Sequence, residues 1–535
     1  MSSTPLTLSF SLLIFAVAGI SYAGEESPEY WSERGKRAVQ DSLALQPIEK
    51  KAKNVILFVG DGMGISTVTA SRIYEGQQRG ETGEENWLSF ETFPYTALSK
   101  TYNTDLQTPD SAGTMTAMVT GVKTRAGMLS VSQYSKRGDA NRVSENELLT
   151  MLEKAELAGK ATGIVTTARV THATPGACYA HTTERNWEND SDQPKDCQVS
   201  DIAAQLIDMP QRWQAVGFPQ VDGPELVFGG GRQNFFPEGK IADEYSKEGD
   251  EGERQDGRNL VEEWIQTRGN GMYVHDLDTF NSLQVQDPMK VLGLFESSHM
   301  RYEADRGGDG AEEPSLSEMT QKAIEILSQR DEGFFLMVEA GRIDHAHHAG
   351  NAYRALVDTV AFSDAVRGAR EATDEEDTLI IVTADHSHVF TMAGYPARGN
   401  NILGLVADQS GKFAVDGLDL PYTTLGYQNG PGYLGSSDTQ GEGPKQYPHD
   451  AWEWTATSEG RVDLAEHLQV DEGDMDCDSY VAHLQESAYP MHSETHGGED
   501  VGIWASGPYA HLLRGTVEQN VIFHLMDFAF GFSED

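Results

Sequence analysis

Three carboxylates stand at equivalent places in this sequence. Asp61, Glu339 and Asp385 each lie at or near the end of a short apolar run: NVILFVGD (54–61), FFLMVEAG (334–341) and DTLIIVTAD (377–385). Runs so rich in Val, Ile, Leu and Phe read as strands buried on both faces. In an open parallel sheet, ligands bind in the crevice beyond the carboxyl ends of the strands. Three acids gathered there would repel one another, and a bound cation is the simplest cure. Histidines extend the set. Asp344 and His348 in EAGRIDHAHHAG (339–350) are four residues apart, which is one face of a helix. Asp385-His386 is a second Asp/His pair, and His496 lies in the Gly-rich ETHGGEDV (494–501). Carboxylate oxygen with imidazole nitrogen in an open site suits zinc. One histidine alone reads as a surface or core residue; three of them with several acids at element ends read as ligands.

TPDSAGTMTAM (108–118) places Ser111 after Pro109-Asp110 and before small, helix-compatible residues. Ser and Asp before a periodic segment signal a helix N-cap. A serine close to a metal cluster could equally be a nucleophile, and the stretch by itself supports either reading.

The elements that must position these residues alternate. A fourth strand is expected at ATGIVTTA (161–168), with helices at 145–160 and 315–330 between strands. VGIWASG (501–507) reads as a further strand and TVEQNVIFHLMDFAF (516–530) as a closing helix. The fold class expected is α/β: a doubly wound, mostly parallel central sheet with helices on both faces. From about 395 to 490 the alternation stops in Gly-, Ser- and Pro-rich sequence, which reads as an inserted irregular subdomain.

The chain of 535 residues carries 84 acidic against 40 basic side chains, a formal charge of −44. Such a surface repels nucleic acid and anionic membranes, and suits salty surroundings where counter-ions screen the self-repulsion. Residues 1–23 read as a signal peptide, an apolar stretch followed by SYA at 21–23, which leaves a mature chain 24–535 with no membrane anchor, periplasmic or extracellular. Of the three cysteines, Cys178 and Cys197 would close a short loop in an oxidising compartment, leaving Cys477.

Several of these segments, taken in order, resemble the alkaline phosphatases: VILFVGDGMG (55–64), TPDSAGTMTAMVTGVKT (108–124), THATPGACYAHTTERNW (171–187), VEAGRIDHAHH (338–348), TADHSHVFTMAGYPARGNN (383–401) and THGGEDV (495–501). The resemblance spans essentially the whole mature chain. It implies a phosphomonoesterase in which Ser111 is the nucleophile and becomes a phosphoserine, and Arg185 grips the phosphate with a two-pronged fork. It implies one zinc on Asp344, His348 and His496, a second on Asp61, Asp385 and His386, and magnesium on Asp61, Thr174 and Glu339. His172 and His345 stand where the best-known bacterial pattern has aspartate and lysine, and match animal-type and some marine-type members; they bear on the third metal and on phosphate affinity, not on the reaction class. Animal-type members also carry calcium, and GLFE (293–296) matches part of that site at Phe295 and Glu296, with Glu244 and Glu313 as the other candidates. Loop acids in a very acidic chain are an equal reading of those four. The family is typically homodimeric, with interface elements in the crown-like region corresponding to about 395–490.

The function expected is therefore an exported enzyme that hydrolyses phosphate monoesters to alcohol and inorganic phosphate. The rivals are a phosphodiesterase of the same superfamily and a non-catalytic metal- or phosphate-binding protein. Thr174, Glu339 and Arg185 fit monoesterases better, and Ser111 lacks the C/S-x-P-x-R setting of sulfatases.

Overall fold

The computed structural model describes residues 26–533, apart from 248, 286–287, 308–311, 437–440, 447–454 and 457–481. The expected signal peptide at 1–23, Cys477 and part of the inserted region lie outside the described residues. The chain forms two compact units, Met1–Gln46 and Pro47–Asp535. The first contributes one described helix, α1 (Pro28–Ala44). Pro28 pre-sets its first turn, and the Ser27 side chain accepts from the backbone N–H of Tyr30 at 3.2 Å.

The second unit is built on a ten-stranded sheet, its strands numbered here in chain order: β1 (Asn54–Gly60), β2 (Tyr95–Lys100), β3 (Ala161–Arg169), β4 (Leu226–Gly230), β5 (Gly271–Val274), β6 (Lys290–Leu294), β7 (Phe334–Ala340), β8 (Thr378–Ala384), β9 (Val501–Ser506) and β10 (Gly515–Glu518). Their spatial order is β10-β2-β9-β8-β1-β7-β3-β4-β6-β5. Every pairing is parallel except the two made by β9. The doubly wound, mostly parallel sheet is thus as expected. β1 shows why it is a central strand. Val55, Leu57 and Val59 enter one apolar core while Ile56 and Phe58 enter the other, and all five are fully buried. Helices α3 (Ser111–Thr120) and α7 (Val521–Phe530) pack on the first face; α4 (Leu316–Leu327) and α6 (Ala352–Ala372) pack on the second. Two further helices, α2 (Ile65–Gln78) and α5 (Arg342–His348), start just beyond the carboxyl ends of β1 and β7.

Three local expectations change. The helical stretch 145–160 is interrupted, with helix only at Val143–Asn146 and Met151–Leu157. Thr150 starts the second piece as one half of a capping box: Oγ accepts from Glu153 N at 3.1 Å, and the Glu153 side chain accepts from Thr150 N at 3.0 Å. The closing helix begins only at Val521, because Gly515–Glu518 joins the sheet as β10 beside β2. Cys178 and Cys197 are both free thiols rather than a pair. The Cys178 side chain turns into the core toward the Thr174 carbonyl 3.9 Å away, whereas Cys197 lies half-exposed in a loop. Among the described residues no helix is long and apolar enough to cross a membrane.

Candidate active site

The sheet register assembles the acids. Gly60 at the end of β1 pairs with Ala384 of β8 on one side and Ala340 of β7 on the other. Asp61 and Asp385 therefore leave adjacent strands at the same level, and Glu339 pairs with Val59 one step below. Thr166 of β3 lies beside Glu339 in the register and donates its hydroxyl to that carboxylate. All three acids are fully buried. Burial raises each carboxyl above its ordinary range, helped for Asp61 by Asp385, Asp344 and Glu339, and Glu339 is pushed up to about 7. Asp61 Oδ2, Glu339 Oε1 and Thr174 Oγ are buried without a hydrogen-bond partner. Hard oxygens left unsatisfied in this way fit a divalent cation such as magnesium.

The histidine protons identify the other donors. His348 Nδ1 faces the Glu494 carbonyl at 2.6 Å, and His496 Nδ1 faces the Pro109 carbonyl at 2.8 Å. A carbonyl only accepts, so each ring carries its proton on Nδ1 and presents a lone pair at Nε2. Those two Nε2 atoms are 3.1 Å apart, and each is 3.3 Å from Asp344 Oδ1. Three electron pairs thus converge with no proton among them, a donor set that fits zinc. His386 repeats the pattern: Nδ1 faces the Ser387 carbonyl at 3.3 Å, and Nε2 looks toward Asp61 Oδ1 at 3.3 Å and Asp385 Oδ2 at 3.2 Å. Asp344 Oδ1 lies 4.0 Å from the same nitrogen, and one ligand atom each of Asp61, Asp344 and His386 lie within 4.8 Å of one another. Asp385 Oδ1 is engaged by the N–H groups of Gly62 at 3.0 Å and His386 at 2.9 Å.

His388 was missing from the sequence-based set and differs from the other three. Its Nε2 lies 2.8 Å from Asp344 Oδ1 and its Nδ1 lies 2.6 Å from Glu494 Oε2. Burial would depress this ring, yet the Glu494 and Asp344 carboxylates lift it to about 10. Both nitrogens then carry protons, so His388 orients Asp344 and has no lone pair to offer. The signal was present in TADHSHVF, where His386 and His388 are two residues apart and His388 falls on a strand segment paired with His496. Gly62 makes room for this ring. Its φ is +71°, and a Cβ there would lie 2.3 Å from His388 Nε2.

Ser111 is the first residue of α3, capped by Asp110, whose Oδ1 accepts from Gly113 N at 3.1 Å. Its Oγ lies 3.1 Å from His386 Nε2 and 3.5 Å from Asp61 Oδ1. It is thus both a helix-start residue and a hydroxyl aimed at the cluster, where backbone N–H groups favour an anion. Arg185 Nη1 donates to Asp110 Oδ2 at 3.2 Å and Nη2 to His172 Nε2 at 3.0 Å, which puts the guanidinium beside the serine. His172 and His345 are ring neighbours, with centroids 5.6 Å apart. Burial, together with Arg185 for His172 and Arg342 for His345, holds both well below the ordinary imidazole range.

The calcium candidates are arranged differently. Glu244 is exposed on a turn. Lys247 Nζ and Arg301 Nε lie 3.4 and 3.5 Å from Glu296 Oε1, and Glu313 Oε1 accepts from Arg301 N at 2.8 Å. Phe295 is fully buried. Among the described residues the Glu244, Glu296 and Glu313 carboxylates do not converge as ligands. Glu313 Oε2 is buried without a hydrogen-bond partner, and burial, with Glu296 nearby, pushes this carboxyl up to about 7.

The sequence profile of the family described as alkaline phosphatase matches residues 52–532. The tissue-nonspecific alkaline phosphatase of Felis catus is 42% identical over 516 residues, covering 94% of this chain and 89% of the relative. The alkaline phosphatase of Gadus morhua is 42% identical over 512 residues, covering 94% and 97%. Among solved structures, alkaline phosphatase from the Antarctic bacterium TAB5 superposes with a TM-score of 0.57 at 20% identity, covering 91% of this chain and 100% of that one. The Thermus thermophilus alkaline phosphatase gives a TM-score of 0.60 at 22% identity, covering 91% and 93%. With a profile match over most of its length and close relatives spanning nearly all of it, the chain belongs to the alkaline phosphatase family, the metal-dependent phosphomonoesterases.

Proposed function

We propose that this chain hydrolyses phosphate monoesters through a phosphoserine at Ser111, at a site that holds two zinc ions and one magnesium. The observation that carries the reading is the convergence of two imidazole lone pairs and the Asp344 carboxylate within 3.3 Å. Asp344, His348 and His496 would hold one zinc; Asp61, Asp385 and His386 the other; Asp61, Thr174 and Glu339 the magnesium. When bound, these ions supply the Lewis-acid charge that neutralises the phosphate and favours the ionised forms of Ser111 and water.

The chain's own residues do the rest. Asp110 fixes Arg185 so that its fork meets two non-bridging phosphate oxygens beside Ser111. The Ser111 hydroxyl releases its proton to solvent and its oxygen attacks phosphorus as the bond to the leaving alcohol breaks; the alcohol departs with a proton taken from solvent. Water then cleaves the serine–phosphorus bond, releasing inorganic phosphate and restoring the hydroxyl. The N-terminus of α3 stabilises the phosphoryl charge in both halves. His172 and His345, neutral and packed together, tune the third metal and the grip of Arg185. The reading extends to export directed by residues 1–23, a homodimer using the inserted region at about 395–490, and function in salty surroundings.

The test is phosphate release from an aryl phosphate monoester at alkaline pH, before chelation, after it, and after zinc and magnesium are restored. Turnover lost and regained supports the reading. No turnover by the metal-replete protein overturns it, and hydrolysis of diesters alone would favour the phosphodiesterase alternative. Ser111→Ala should keep its zinc and lose most turnover.

A further inference from the structure

The short strand 425–430 of the inserted region bears an unexpected relation to the two zinc-type histidines. Tyr427 and Asn429 are two residues apart, so their side chains leave the same face of the strand. The Tyr427 hydroxyl lies 2.8 Å from His347 Nδ1, next in the chain to His348. Asn429 makes a reciprocal pair with Thr495, next in the chain to His496: Nδ2 donates to Thr495 Oγ at 2.9 Å, and Oδ1 accepts from Thr495 N at 3.1 Å. One strand face therefore holds the immediate neighbours of both histidines whose Nε2 atoms meet at 3.1 Å.

The grip on His347 has a second anchor. Its Nε2 lies 2.9 Å from Thr67 Oγ on α2, so the ring is held between the helix after β1 and the inserted region. His347 and Tyr427 are both buried, with Phe390 packed against each ring. The backbone of the strand completes the frame. Tyr427 pairs with Phe390 in the segment after His388, and with Ser487 in the segment leading to Glu494. Three stretches far apart in sequence, 342–348, 386–392 and 487–497, meet on this one strand.

We infer that Tyr427 and Asn429 are positioning residues that set the separation of His348 and His496, so that the inserted region pre-assembles the Asp344/His348/His496 metal site. The inference rests on the reading that this site holds zinc. Neither residue touches the metal, substrate or reacting atoms; each acts through the neighbour of a ligand. Groups that orient ligands typically change metal affinity by about 10- to 100-fold, and one step further out the low end applies.

The experiment compares wild type with Tyr427→Phe, Asn429→Ala and the double variant. Zinc content is followed during challenge by a chelator, alongside the visible spectrum of cobalt-loaded protein and the melting temperature of zinc-saturated protein. Each single variant should lose one of its zinc ions on the order of tenfold faster, with an altered cobalt spectrum, while kcat at saturating zinc returns close to wild type and KM changes little. Unchanged zinc loss and cobalt spectrum overturn the inference, even if melting falls, since that outcome describes a structural role alone. Tyr427→Phe keeps the buried ring and removes only the hydroxyl; if Asn429→Ala fails to fold, Asn429→Gln, which keeps an amide but moves it off Thr495, answers the same question. Failure of the underlying reading is separable, because wild type would then show no metal-restored turnover.

Discussion

Removing the metal ions should make the protein's stability depend on pH in a way the loaded protein does not share. In the metal-free fold Glu339 titrates at about 7, against 4.5 for an ordinary glutamate. A folded value above the unfolded one means that the native state holds a proton the unfolded chain has released. Stability is then fully present below pH 4.5 and is lost as pH rises through about 7. A shift of this size corresponds to about 3 kcal/mol for Glu339 alone, and Asp61 and Asp385 are displaced in the same direction. A bound cation reverses the preference, because it favours the ionised carboxylates. The assay is thermal melting of chelator-treated and zinc- and magnesium-loaded protein, in parallel, from pH 5 to 9. The gap between the two curves should widen with pH by several degrees and level off above pH 8. Glu339→Gln should narrow it, with the metal-free variant more stable than metal-free wild type at pH 8. Other buried carboxyls affect both curves alike and cancel in the gap. A gap that stays constant with pH would refute the reasoning, since it would mean that the acids are not the groups the cations neutralise.

Gly62→Ala should damage the site more than the core. The new Cβ would lie 2.3 Å from His388 Nε2 at a backbone φ of +71°, so turnover should fall at least tenfold, checked by kcat at saturating metal. Glu156, buried against Glu225 at the far end of the sheet, is pushed up to about 8 by burial first and Glu225 second. Its contribution is lost as pH rises from 4.5 through 8, by up to about 5 kcal/mol, so Glu156→Gln should raise the melting temperature at pH 9 and leave it little changed at pH 5. Because Lys247 and Arg301 already face Glu296, calcium should leave the melting temperature of wild type unmoved relative to a calcium chelator. A rise of several degrees with about one calcium retained per chain would contradict that.

The centre of the site was legible because its signals are local and strong. The runs around Asp61, Glu339 and Asp385 are continuous apolar strands, and parallel register does the rest by bringing Gly60, Ala340 and Ala384 level. The Asp344/His348 spacing needs only one turn of helix. Strands β4 and β6 escaped because LVFGG and KVLGL are five residues long and carry glycine, so neither length nor composition separates them from loop. The helix expected at 145–160 failed for the opposite reason, since the Thr150/Glu153 capping box imposes a start that hydrophobic periodicity does not register.

What the sequence hid most completely is the frame around the metal-type histidines. LGYQNG at 425–430 contains two glycines, a tyrosine and an asparagine, a composition that reads as a turn. Its role depends on partners 80 residues earlier at His347 and 66 residues later at Thr495. No window-based pattern spans such separations, because hydrogen bonds between side chains leave no periodicity in either segment. The same holds for His388, whose identity as a proton-bearing ring comes from two carboxylates, Asp344 and Glu494, on opposite sides of it. Ligand residues announce themselves through chemistry that few other roles require, whereas the residues that hold them in place use the ordinary polar side chains of any loop. The cluster of acids and histidines can therefore be read from one chain met alone, and the contacts that surround it only once the chain is folded.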